Sequence, residues 1–191
     1  MLRRLSLVLA LALAALALAP AGAGAKKAGH RVQAACASSH ATVERGAVRR
    51  ARLATLCLLN RIRARRGLAP LRLDPKLSRA ARRHSRDMVR RGYFAHDSAN
   101  GSSFSQRILG TRYVPRNASW WLGENIGWGS ATRGRPISLV RMWMNSPPHR
   151  ANILSGRFRE IGIGIAVGIP VRGAHAAARG ATYTTDFGFH S

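Results

Sequence analysis

The chain has 191 residues, with 32 Lys or Arg against 7 Asp or Glu and a formal charge of +25. A hydrophobic fraction of 46% is enough for one proper core, and no stretch beyond the N-terminus is long and apolar enough to span a membrane. Such a charge draws a protein to anionic surfaces, whether envelope polymers, acidic lipids or nucleic acid. A blander reading stands beside it. The lysines are only Lys26, Lys27 and Lys76, so arginine fills ordinary surface positions, as a GC-rich coding sequence would produce.

The first segment reads as a secretory signal peptide over residues 1–25. Arg3 and Arg4 form the basic start, Leu5 to Ala19 is apolar apart from Ser6, and Ala23-Gly24-Ala25 offers a cleavage site before Lys26. Its removal leaves 166 residues, with 30 basic against 7 acidic side chains, a formal charge of +23. The mature protein is then expected to be secreted and extracellular, associated with the envelope only through charge, with no transmembrane segment and as a monomer. Residues 26–46 have no periodicity and read as a flexible tail tied down at Cys36, and residues 47–191 as a single domain. Cys36 and Cys57 form a disulfide in an oxidising compartment, or Cys57 is a buried thiol among leucines. The closed loop would contribute roughly 3 kcal/mol.

A helix is expected from about Ala47 to Arg66, with Leu53, Leu56, Leu59 and Ile62 on one side and arginines around the rest. Residues 68–73 form an extended connector. Asp74-Pro75 opens a second helix that Gly92 stops, with Leu77, Ala80, Ala81, His84 and Met88 on its buried face. His84 on that stripe reads as a packed core histidine, not a ligand. A short helix over 103–109 follows, then an irregular stretch, then a strand or extended loop over 123–129. Pro136 opens a further helix, and Ser146-Pro147-Pro148 ends it. Phe158 to Ile169 alternates with glycine as a strand, and Ala181 to Phe189 returns antiparallel to it. The order predicts an α+β fold, an α–β–α sandwich with a small antiparallel sheet between helical layers.

Four pieces carry chemistry: Phe94-Ala95-His96, Gly123-Glu124-Asn125-Ile126-Gly127, Trp143-Met144-Asn145-Ser146-Pro147-Pro148-His149-Arg150-Ala151-Asn152-Ile153-Leu154 and Arg159-Glu160-Ile161-Gly162. With Asn60 and Arg63, Ala80-Ala81, His84-Ser85 and Met88, and Asp186-Phe187-Gly188, they form an ordered set over about residues 50–190. That set resembles the CAP superfamily (cysteine-rich secretory proteins, antigen 5, pathogenesis-related 1), in its bacterial SCP-like branch. The resemblance implies a secreted α–β–α sandwich with a groove holding two histidines and acidic residues. In some relatives those histidines bind zinc or another divalent metal; others bind sterols, fatty acids or partner proteins.

Residue by residue, His96 and His149 match the family histidines, and Glu124 matches the glutamate of the Gly-Glu-Asn motif. Eukaryotic members carry a second glutamate shortly after the helix tryptophan. Here Met144, Asn145 and Ser146 follow Trp143, so that carboxylate is missing and Glu160 is the candidate to replace it. The expected groove is lined by His96, Glu124, Asn125, His149 and Glu160, with His96 and His149 as metal ligands. Two imidazoles make a weak, open zinc site, since zinc takes three or four protein ligands. Glu124 would either activate a metal-bound water or hold its loop by accepting backbone N–H bonds.

Two main functions compete. One is a binding or interaction module for a lipid, glycan or peptide, with Trp120, Trp121, Trp128 and Trp143 supplying apolar surface or core. The other is a metal-dependent hydrolase using His96, His149 and Glu124. No HExxH, GxSxG or catalytic-cysteine context supports a standard protease or esterase. Non-specific binding of anionic polymers by the arginines is the third reading, and nucleic-acid binding lacks any reading motif.

Overall fold

The computed structural model describes residues 36–171 and 179–191. The residues read as a signal peptide and the first part of the tail therefore lie outside the described residues, as does most of the loop before the last strand. The elements run α1 (Val48–Ala64), β1 (Arg72–Leu73), α2 (Pro75–Arg91), α3 (Phe104–Leu109), β2 (Trp120–Ser130), α4 (Pro136–Asn145), α5 (Pro147–Leu154), β3 (Glu160–Val167) and β4 (Gly180–His190). The sheet order is β1-β3-β4-β2. The expected antiparallel pairing holds for β3 with β4; β2, expected as a strand or extended loop, adds antiparallel to β4, and the short connector strand β1 adds to β3 in parallel.

Alternation along the strands divides the sheet into two unlike faces. Ile161, Ile163 and Ile165 of β3 and Tyr183 and Phe187 of β4 pack with Leu59 of α1 and Leu139, Val140 and Trp143 of α4. The other face of β3 carries Gly162 and Gly164, against which α2 lies. A Cβ on Gly162 would meet the backbone of Leu77 and Ser78, and one on Gly164 that of Ala81 and Arg82. Glycine is thus what lets the helix approach, and Ser85 Oγ fastens it through hydrogen bonds with Gly164 O at 3.1 Å and Thr184 Oγ1 at 2.9 Å. The result is the expected α–β–α sandwich.

Local signals explain the helix ends. Asp74 caps α2 by accepting from the Lys76 and Leu77 amides, and Gly92 closes it in the left-handed conformation. Ser103 and Gln106 form a reciprocal capping box on α3. The double proline does more than end α4. Pro147 and Pro148 occupy the first positions of α5, where their missing N–H groups break no intrahelical bond. His149 therefore sits in the first turn of a helix rather than in a terminating turn.

Two further departures have physical causes. Residues 36–46 do not merely hang from Cys36. Cys36 is bonded to Cys57 with 5.5 Å between Cα atoms, and Val43 enters the main core. Arg63, expected among the solvent-facing arginines, is completely buried. Its guanidinium donates to the carbonyls of Ala69, Ile153, Ser155 and Phe158, so it ties α1 to the connector and to the end of α5. Burial, then the nearby Arg159, lowers its pKa.

Candidate functional site

The site forms at β2, the edge strand beside β4. Glu124 lies on the α2 side of the sheet, directly opposite Asp186 of β4. Its side chain is nearly inaccessible, and both carboxylate oxygens are engaged. Oε1 accepts from His96 Nδ1 at 2.8 Å, and Oε2 accepts from Arg107 NH2 at 2.5 Å. Charge-assisted bonds of this kind are the short, strong ones. Arg107 NH1 reaches back to His96 O, Ser98 Oγ and Ser102 O. One guanidinium thus clamps the loop carrying His96 onto the glutamate of β2.

Asp186 beneath them is fully buried. Burial, then the charge of Glu124, pushes its carboxyl well above the usual carboxylate range, which favours the protonated form beside the Glu124 carboxylate. The buried set is then one carboxylate, one neutral acid and one guanidinium. That is a balanced arrangement, which a buried ionic cluster requires.

His149 approaches from the other side of the strand. Its Nδ1 shares a 2.7 Å hydrogen bond with Ser146 Oγ. The buried Asn125 donates to His149 O at 3.1 Å and accepts from Asn152 Nδ2 at 2.9 Å. Asn152 also donates to Glu124 O, and Trp143 Nε1 donates to Ile126 O. These side chains cover two carbonyls of the edge strand and fix α4 and α5 against it. Burial, then the neighbouring His96, lowers the His149 pKa, so the two imidazoles are close enough to act on each other.

The structure therefore brings together His96, Glu124, Asn125 and His149. It places Glu160 elsewhere. Glu160 pairs with Gly188 while Glu124 pairs with Asp186, which separates their Cα atoms by roughly 12 Å at ordinary sheet spacings. Glu160 Oε2 accepts from Tyr113 OH at 2.7 Å, and Oε1 lies 3.5 Å from Arg72. Burial and that contact raise the Tyr113 pKa far above its ordinary value.

His96 and His149 alone would offer a divalent ion an open, two-imidazole site. Among the described residues no group of three or more His, Cys, Asp or Glu side chains is placed to hold a metal. Glu124, the carboxylate nearest the imidazoles, already has His96 and Arg107 on its two oxygens.

Arg107, Asp186 and Asn152 are functional neighbours that sequence reasoning did not assign. The available signal was scarcity: with seven acidic residues, each buried one needs a specific partner. Nothing in the sequence says which arginine that partner is.

The profile of the cysteine-rich secretory protein (CAP) family matches residues 56–172, more than half of the chain. The chain is 41% identical over 109 residues to the uncharacterized protein YkwD of Bacillus subtilis (strain 168), covering 56% of this chain and 39% of that protein. It is 32% identical over 110 residues to the uncharacterized membrane protein YlbC of the same strain, covering 58% and 30%. Its fold is similar to that of an extracellular protein containing a SCP domain from Bacillus anthracis str. Ames, with a TM-score of 0.57 and 26% identity. That match covers 76% of this chain and 43% of the other. The chain thus spans less than half the length of each of these relatives.

Proposed function

The chain belongs to the CAP family of cysteine-rich secretory proteins, and from that membership and the site geometry we infer that it is an extracellular binding module. One observation carries the reading. The Glu124 carboxylate is held on both oxygens, by His96 and by Arg107, so it serves to position the His96 loop. A general base must present an oxygen to a substrate or water proton, and the Glu124 side chain is 1% exposed. The second carboxylate of the eukaryotic pattern is absent, and Glu160 is bound to Tyr113 instead.

The surface around the cluster suits a ligand with apolar and polar parts. Phe94 is 45% exposed beside His96, and Trp121 is 49% exposed at the head of β2. Arg157 lies over the Trp121 ring at 3.9 Å from its centroid, a cation–π contact. Rings, imidazoles and a guanidinium along one edge would form the groove for a lipid, glycan or peptide. Secretion is supported by the N-terminal pattern and by the extracellular relative. No helix among the described residues is long and apolar enough to cross a membrane.

The probe is octyl glucoside below its micelle concentration, since it joins an alkyl chain to a sugar and carries no charge for the arginines to attract. The reading expects saturable binding by calorimetry that survives EDTA and weakens in Trp121→Ala and His149→Ala. Ester and peptide substrates would be assayed in parallel with and without zinc. Turnover that requires zinc and disappears in His149→Ala would replace this reading with the hydrolase.

A further inference from the structure

A cavity of about 630 Å³ lies between the C-terminal half of α2 and residues 98–102, and shares Arg107 with the β2 site. Arg83, Arg86, Arg90, Arg91 and Arg107 line it against one carboxylate, Asp87. Asp87 is already engaged: Oδ1 accepts from Arg90 and Arg91, and Oδ2 from the Tyr93 hydroxyl. Arg83 and Arg86 are exposed and make no hydrogen bond or ion pair among the described residues.

The wall also contains buried polar groups left without partners. His84 is 1% exposed, and its Nε2 lies 2.9 Å from the Ala95 carbonyl. A carbonyl only accepts, so Nε2 carries the proton and Nδ1 is a lone-pair acceptor in the neutral ring. Burial, then Arg107, lowers the His84 pKa, which keeps the ring neutral. That Nδ1 has no partner among the described residues, and neither does the Nε–H of Arg107. Buried orphans of this kind are uncommon in native structures and call for a ligand, ion or water. Across the cavity, Ser98, Asn100 and Ser102 present small polar groups.

We propose that this cavity binds a phosphorylated polyol or sugar, with the phosphate against Arg83 and Arg86 and the hydroxyls toward His84 and the loop of Ser98, Asn100 and Ser102. Three features select that chemistry. The arginine excess favours a doubly charged anion, and guanidinium forks match phosphate oxygens. The volume is in the range of small-molecule sites and is too large for a bare anion. A neutral ring acceptor takes a hydroxyl donor, and the polyol part supplies several of these beyond the phosphate itself.

The test is calorimetric titration of the mature protein with glycerol 3-phosphate, inorganic phosphate and glycerol. Binding of glycerol 3-phosphate should be saturable at one site and tighter than inorganic phosphate. Arg83→Ser/Arg86→Ser should weaken it by about tenfold or more, the loss expected for charge-assisted bonds. Arg61→Ser/Arg65→Ser, which removes the same charge from exposed positions on the opposite helical layer, should leave it unchanged. His84→Gln should abolish the advantage of glycerol 3-phosphate over phosphate, and His149→Ala should change nothing. Equal weakening by both arginine pairs would reduce the effect to net charge and overturn the site. No saturable binding, or equal affinity for glycerol 3-phosphate and phosphate, would overturn it as well.

Discussion

The two faces of one sheet obey different rules. On the side of α1 and α4, strands β3 and β4 present Ile161, Ile163, Ile165, Tyr183 and Phe187 to a continuous apolar core. On the side of α2, the intervening residues of the same strands are Gly162, Gly164, Thr184 and Asp186, joined by Glu124 from β2. The first face holds by non-directional burial, where many side chains of suitable volume would serve. The second holds by directional bonds between a few groups, each of which has one partner that fits. Stability should therefore reside mostly on the apolar face, and placement of the functional groups on the polar one.

The largest effect expected from that contrast is at Trp143. It is fully buried, meets Tyr183 edge-on with 6.3 Å between centroids, and donates to Ile126 O. Trp143→Ala should destabilise by about 3–5 kcal/mol, measured by urea denaturation. On the polar face, Glu124→Gln keeps the shape but leaves the Arg107 guanidinium without its anion. It should cost about 2–3 kcal/mol and loosen the His96 loop, read from the His96 ring signals by NMR. A larger loss at Glu124 than at Trp143 would break the division of labour.

The same contrast explains what could be read from the sequence. The apolar face announces itself by period: Leu59, Val140, Trp143 and the alternating isoleucines of β3 are visible one by one. The Gly-Ile-Gly alternation even marks where α2 comes close, because only glycine tolerates that approach. The polar face was legible in its members and not in their pairings. His96, Glu124 and His149 follow from the motif set. That Glu124 is held by Arg107, and that Glu160 belongs to Tyr113, depends on which of many arginines and which strand register the fold selects. Arg63 shows the same limit, since a buried arginine satisfied only by carbonyls has no sequence signature of its own. The α5 helix was hidden for a different reason. A double proline reads as a stop when it follows one helix and as a start when it precedes another.

The polar face should also govern the pH dependence, in two opposite senses. His84 and His149 have pKa values lowered mainly by burial, so the unfolded chain binds protons that the folded chain resists. Their contribution is complete above the ordinary histidine value and is lost as pH falls through it. Asp186 has a raised pKa, so its contribution is complete below the ordinary carboxylate value and is lost as pH rises toward the folded one. Thermal denaturation should show Tm falling as pH drops below about 6.5, with a shallower fall in His84→Gln. In Asp186→Asn, where the amide mimics the protonated acid, the decline on the rising side should vanish. A pH profile unchanged by either substitution would show that these groups are not the buried titrating set.

The smallest effect separates the two acidic positions most directly. Glu160 and Glu124 are both strand residues on the same face, but the Glu160 side chain is 24% exposed and that of Glu124 is 1% exposed. The Arg72 contact of Glu160 is a surface ion pair with a mostly exposed arginine, and such pairs contribute little. Its bond from Tyr113 survives replacement of the carboxylate by an amide, because the amide oxygen still accepts. Glu160→Gln should therefore cost less than about 1 kcal/mol and leave octyl glucoside binding unchanged. Glu124→Gln, with the same change of one atom, should disturb both. If Glu160→Gln instead weakens the ligand as strongly as Glu124→Gln, the two carboxylates act at one site in solution. The binding surface would then extend across the sheet end to Tyr113 rather than stopping at the edge of β2.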